Sequence, residues 1–202
     1  FENISNVLEQ IVDERKNAEE LALSLSNSMV SDLLSMCDCE PLESIAQIIN
    51  GFAFASTAFS DNEGVKSIKI TNVGVQKFVQ EKGNYLPNQF SDAHSKVRIS
   101  TGDIVIALTR TIIDSGLKVA IVPDEYDGAL LNQRVAAIRV NQNLIFPDFL
   151  YSYLCSNHVK TYVIEHVNTL MQPNLSIRDL RTMPIPNPPL SKQKEEFYFQ
   201  RF

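Results

Sequence analysis

The sequence predicts an α+β chain, mostly β in its middle and framed by helices, on three observations. Residues 3–34 contain neither Gly nor Pro and repeat Ile4, Ile11, Ala18 and Leu25 at seven-residue spacing. The middle alternates short apolar runs with turn-forming residues. Near the C-terminus, prolines at 184, 186, 188 and 189 separate two helix-start patterns.

The first element reads as a long helix with a coiled-coil-like seam, its heptad positions flanked by Leu8, Ala22 and Met29. At about 1.5 Å per residue it reaches roughly 45–50 Å, longer than a DNA turn of about 34 Å. Its other faces carry Glu9, Asp13, Glu14, Arg15, Lys16, Glu19 and Glu20, too many charges for burial in one core. The helix therefore reads as a strut that separates or dimerises modules, against the alternative of a helix packed along its own domain. Ile4, Leu8, Ile11, Ala18 and Leu25 are expected to meet another helix, from a second copy or from the segment after Ser191.

Strands follow. Val65–Ile70 alternates; Ile104–Leu108 follows a Thr-Gly-Asp turn; Val119–Val122 ends at Pro123; a fourth strand spans Arg134–Val140. Asn62-Glu63-Gly64, Lys82-Gly83-Asn84 and Tyr126-Asp127-Gly128 carry turn chemistry. From Pro147 the period changes, and Leu150, Tyr153, Leu154, Ile164 and Val167 predict one helix of about twenty residues. Ser176, with Asp179 three residues on, is expected to cap a short helix, and Ser191 a second one. The prolines between them favour an extended, hydrogen-bond-poor backbone. Three segments result: a helix over 1–38, a domain over 39–183, and a proline-rich exit with the start of another helix over 184–202.

At 202 residues with 44% hydrophobic content, the chain can bury one substantial core. No apolar run is long enough to span a bilayer, so a soluble, cytoplasmic protein is expected. Cys37 and Cys39 are too close in sequence for the usual structural zinc pair, and neither a metal nor a cofactor is expected. The net charge of −6 argues at first against nucleic acid. Its distribution changes that: residues 1–39 hold 8 acidic and 2 basic side chains, residues 40–183 hold 14 and 13, and residues 184–202 hold 2 and 3. The acidity belongs to the helix, and a domain near neutrality can still segregate its cations onto one face.

Several blocks then line up. LESIAQIINGFAFASTAF (42–59) is followed by SIKITNVG (67–74), VRISTGDIVIALT (97–109), GLKVAIVPDEYDGALLNQRVAAIRV (116–140), FLYSYLCS (149–156), QPNLS (172–176) and PPLSKQ (188–193). In order and spacing they resemble a target recognition domain of the specificity subunits of type I restriction-modification systems. Arg110 departs from that pattern, which commonly has a small residue there. The resemblance implies a β-rich recognition domain on a conserved spacer helix that reads half of a bipartite duplex DNA site. It also implies docking to DNA methyltransferase subunits, through them to a restriction subunit, and a homodimer if the chain is a half subunit. Two rival readings are the recognition region of a fused methylase or restriction enzyme, and a coiled-coil interaction module that binds no DNA.

Catalytic motifs fare poorly. Asn187-Pro188-Pro189-Leu190 resembles the Asn-Pro-Pro-aromatic motif of amino-methyltransferases, but Leu replaces the ring that stacks on a flipped base. The nuclease pattern is incomplete at Pro123-Asp124 and Pro147-Asp148. No catalytic residue is assigned. Phe52, Phe54 and Phe59 read as core fillers. The DNA-contact candidates are polar and loop-borne: Ser56, Thr57, Lys66, Lys69, Thr109, Arg110, Thr111, Ser115, Lys118, Asn132, Gln133, Arg134, Gln172 and Asn174. Arg reads guanine and Asn or Gln reads adenine, whereas Lys and Ser more often hold phosphates.

Overall fold

The computed structural model describes residues 2–113, 116–166 and 174–199. The Gly- and Pro-free opening forms α1 (Glu2–Met36). Its C-terminal end enters the core, where Val30 and Leu33 are buried among domain residues. Ile4, Leu8, Ile11 and Leu25 are 64%, 57%, 49% and 58% exposed, and Ala18 is exposed beside them. The seam is thus a face left uncovered by the described residues of the domain.

After β1 (Cys39–Pro41) and α2 (Leu42–Ile45) the chain enters β2 (Ala46–Asn50). It continues through β3 (Val65–Ile68), β4 (Tyr85–Leu86), α3 (Phe90–Ala93) and β5 (Ile104–Ala107). Then come β6 (Ile112–Ile113), β7 (Gly116–Leu117), β8 (Val119–Ile121), β9 (Leu130–Leu131) and β10 (Val135–Val140). Helices α4 (Pro147–Leu154), α5 (Asn157–His166) and α6 (Ile177–Arg181) precede β11 (Pro184–Pro186) and α7 (Leu190–Phe199).

The main sheet runs β2-β10-β5-β8 with every pair antiparallel. Its two inner strands are nearly continuous apolar runs because both of their faces are covered. Ile104, Ile106, Ala136 and Ile138 pack with the helices, while Val105, Ala107, Val135 and Ala137 face a second core with Ile68, Val73 and Tyr126. A smaller sheet, β4-β3-β9, lies beside the second core, its β3–β9 pairing parallel. At the end of the main sheet where β5 begins, the buried Asp103 carboxylate binds Arg139 Nη2 at 2.7 Å and Nε at 3.0 Å and accepts the Ser100 N–H at 2.8 Å. The hydrogen bond to Asp103 is the main reason the Arg139 guanidinium pKa is raised above its ordinary value.

Several boundaries differ from the sequence reading for local reasons. β3 stops at Ile68 instead of Ile70 because the Lys69 N–H is captured by Asn72 Oδ1 at 2.8 Å, which starts a 3-10 turn over Ile70–Asn72. The helix from Pro147 is two helices, broken at Cys155-Ser156, where the Ser156 hydroxyl accepts the Val159 N–H at 3.5 Å. The buried face of α5 is Val159 and Val163; Ile164 is 51% exposed, and Val167 lies outside the described residues. Asn27 of α1 accepts the Asn157 N–H at 3.2 Å, so the long helix caps α5.

Ser176 caps α6 as expected, its hydroxyl accepting the Asp179 N–H at 3.0 Å. Ser191 is not a cap: α7 begins at Leu190, and the Pro189 carbonyl accepts the N–H groups of Lys192 and Gln193. The prolines are extended but not short of pairing, since β11 lies antiparallel on β1 with Glu40 opposite Ile185. α7 packs on α4. Gln193, fully buried, fastens the exit: its Oε1 accepts the Phe146 N–H at 2.7 Å, and its Nε2 donates to Pro188 O at 2.7 Å and Asn187 Oδ1 at 3.1 Å. Gln193→Ala should therefore destabilise the domain by about 2–3 kcal/mol, because it strands a buried N–H and carbonyl and leaves a void. Lys192→Ala, at an exposed neighbour, should stay within about 0.5 kcal/mol. Urea denaturation midpoints of the two variants check this, and equal midpoints would remove Gln193 as the fastening.

Candidate nucleic-acid interface

Antiparallel pairing brings the end of β2, the start of β10, the end of β5 and the start of β8 to one edge of the main sheet. The loops leaving that edge hold most of the candidate residues. Leu108 N–H donates to Arg134 O at 2.9 Å, and Leu108 O accepts the Leu175 N–H at 2.9 Å. Thr109 is bridged to Asn174, an exposed residue anchored by buried Leu175. The β6–β7 hairpin brings Lys118 next to Thr111, whose carbonyl accepts the Lys118 N–H at 2.9 Å. Arg110, Lys118 and Arg134 therefore stand around one sheet end, with Asn132 and Gln133 on the adjoining turn.

The electrostatics of this end favour an anion. Lys118 is partly buried, with Nζ donating to Ile70 O at 3.1 Å. Burial lowers its pKa, and the nearby Arg110 guanidinium lowers it further. A phosphate placed against the pair would offset both effects. Arg110 is exposed and holds φ at +48°, a left-handed conformation costing a non-glycine residue about 1–2 kcal/mol. It stands where the resemblance leads one to expect a small residue.

The turn beside them is rigid. Phe52 N–H donates to Leu131 O at 2.9 Å and Gln133 N–H donates to Phe52 O at 3.0 Å, so Gly51-Phe52 lies flat on Asn132-Gln133. A Cβ on Gly51 would fall 2.0 Å from Asn132 O, so only glycine permits the contact.

Other candidates are placed differently. Ser56 and Thr57 are exposed on a 3-10 turn over Ser56–Ala58. Lys69 reaches Asn84 Oδ1, and its Nζ sits 3.5 Å from the centroid of the Phe59 ring. Its pKa is lowered, chiefly by burial. Lys66 turns to Glu125 O, at 2.8 Å, over the Tyr126 ring. Thr111 is fully buried, which removes its side chain from any surface contact. Ser115 and Gln172 lie outside the described residues. Phe54 and Phe59 are buried or half-buried as fillers, but Phe52 is 46% exposed; its sequence context gives no signal that sets it apart from Phe54 two residues on. Asn187 is engaged in structure, since its Oδ1 accepts from Gln193 and its N–H donates to Asp38 O at 3.3 Å.

Known proteins share this chain's family and fold. The chain is 30% identical over 171 residues to the type I restriction enzyme MjaVIII specificity subunit of Methanocaldococcus jannaschii, an alignment covering 85% of this chain and 40% of that protein. It is similar in fold to a chain from the assembly and conformational transition of the type I R-M system, with TM-score 0.67 at 14% identity, covering 99% of this chain and 48% of the other. The HsdS subunit from Thermoanaerobacter tengcongensis gives TM-score 0.63 at 14% identity, covering 99% and 47%. The chain thus spans less than half the length of each. Residues 39–200 match the type I restriction modification DNA specificity domain, and the chain belongs to that family.

Proposed function

We propose that the chain reads one half of a bipartite duplex DNA site within a type I restriction-modification complex, directing adenine methylation and restriction carried out by partner subunits. The observation that carries this reading is the gathering of Arg110, Lys118 and Arg134 with Asn132 and Gln133 at one sheet end, in a family of non-catalytic specificity subunits. Lys118 and Arg110 hold phosphate, while Arg134, Asn132 and Gln133 reach base edges. Thr109 and Asn174 line the rim as phosphate or sugar contacts, and Ser56, Thr57, Ser115 and Gln172 are further DNA contacts in this reading. Lys66 and Lys69 act as secondary cations, since each is engaged within the protein. Because the domain is close to neutral, affinity in isolation is low, and the methyltransferase subunits supply the charge and closure it lacks. A restriction subunit joins through them.

The exposed seam of α1 is the second half of the proposal. Ile4, Leu8, Ile11, Ala18 and Leu25 pair with another helix, from a second copy or from a further half of a longer subunit, and hold two recognition domains apart. No helix among the described residues is long and apolar enough to cross a membrane, so this face is not a membrane span.

Two experiments test these points. Gel shifts at several salt concentrations, with and without a methyltransferase subunit, should show Lys118→Ala weakening every duplex and lowering the salt slope by about 1, the effect of one lost phosphate. Unchanged binding and slope would take Lys118 out of the site, and absence of duplex binding by the wild type in both settings would overturn the recognition reading. Sedimentation should show self-association or subunit assembly that Ile11→Asp weakens at least tenfold, because it puts a carboxylate into the seam. Equal assembly by the two proteins would end the strut assignment.

A further inference from the structure

We propose that Phe52 and Asn132 together read one A·T base pair in the major groove, Asn132 pairing with adenine and Phe52 covering the C5-methyl group of thymine. This rests on the DNA-recognition reading above and assigns part of that site a base.

Phe52 and Asn132 form a parallel β-bridge, and residues opposite one another in a bridge project to the same face. Both backbones are fixed: Phe52 is hydrogen-bonded to Leu131 and Gln133, and Asn132 N–H donates to Ile68 O at 3.0 Å. The glycine before Phe52 admits no side chain between the segments. The Phe52 ring is backed by His94, with centroids 4.4 Å apart, and by Phe54 at 5.1 Å, yet it keeps 46% of its surface exposed. An aromatic side chain held this firmly has little rotational freedom left to lose on binding.

The chemistry beside it selects the ligand. The Asn132 side chain is half-buried, and its amide makes no hydrogen bond among the described residues. An amide matches the N6 donor and N7 acceptor of adenine, and the paired thymine presents its methyl group in the same groove. A phosphate would be met by cations, not by a ring and an amide. A single half-exposed ring is also far below the several hundred Å², on the order of magnitude, that protein-docking patches expose. The pair is therefore suited to a base edge.

The test first selects duplexes from a random library with the full chain, together with a methyltransferase subunit. It then alters the selected DNA, so that the wild type and each variant are compared with themselves on two duplexes. Replacing the key thymine with uracil should weaken wild-type binding about fourfold, the effect of one buried methyl group, and leave Phe52→Ala binding unchanged. Replacing the adenine with 7-deazaadenine should weaken the wild type and leave Asn132→Ala unchanged. If the wild type selects a sequence in which no thymine is sensitive to loss of its methyl group, or if both variants keep the wild-type responses, the assignment is overturned and the recognition reading stands. A wild type that selects no sequence overturns both.

Discussion

Everything at the candidate interface depends on β10 being hydrogen-bonded on both sides. Its register sets Ala136 opposite Asn50 on one side and Ile106 on the other. Those two ladders fix where β2 must end and where β5 must stop, and so bring Gly51, Leu108 and Arg134 to one rim. The strand tolerates this position because Val135, Ala136, Ala137 and Ile138 are all buried, with successive residues feeding opposite cores. A one-residue slip would exchange the two faces and scatter the rim. Asp103 and Arg139 oppose such a slip at the far end, where a buried carboxylate, a guanidinium and the Ser100 backbone close on one another.

The loop-bearing rim and the helical frame are built to different standards of independence. α1 meets the domain through Val30, Leu33 and the Asn27 cap on α5, while its heptad residues face outward. The exit is fastened by Gln193, whose single amide joins α4, the proline segment and α7. The end of α1 and the start of α7 are thereby tied to the helical side of the sheet.

Much of the fold was legible because it rests on local signals. The seven-residue repeat, the Thr-Gly-Asp turn before Ile104, the Ser176–Asp179 cap and the period change at Pro147 each have a short-range physical cause, and each appears in the structure. The errors arose where a competing hydrogen bond a few residues away moved a boundary. Asn72 ends β3 early, Ser156 splits a helix whose apolar period runs on, and the Pro189 carbonyl starts α7 before Ser191. The site was legible as a set of polar loop residues but not as a geometry. Thr111 and Arg110 are neighbours in sequence, yet one is fully buried and the other exposed in a left-handed conformation. Phe52 and Phe54 looked alike for the same reason: whether a ring meets solvent depends on His94 and Phe90, which lie about forty residues away along the chain and are set beside them only by folding.

In the proposed function, DNA meets the sheet end shared by Gly51, Leu108 and Arg134. Hydrogen exchange of the chain, with and without duplex DNA in the presence of a methyltransferase subunit, measures this directly. DNA-dependent protection is expected to concentrate in residues 51–57, 108–118 and 132–134. Protection confined to the opposite end, around Thr101–Asp103 and Asp124–Asp127, or no change at either end while DNA is bound, would contradict it.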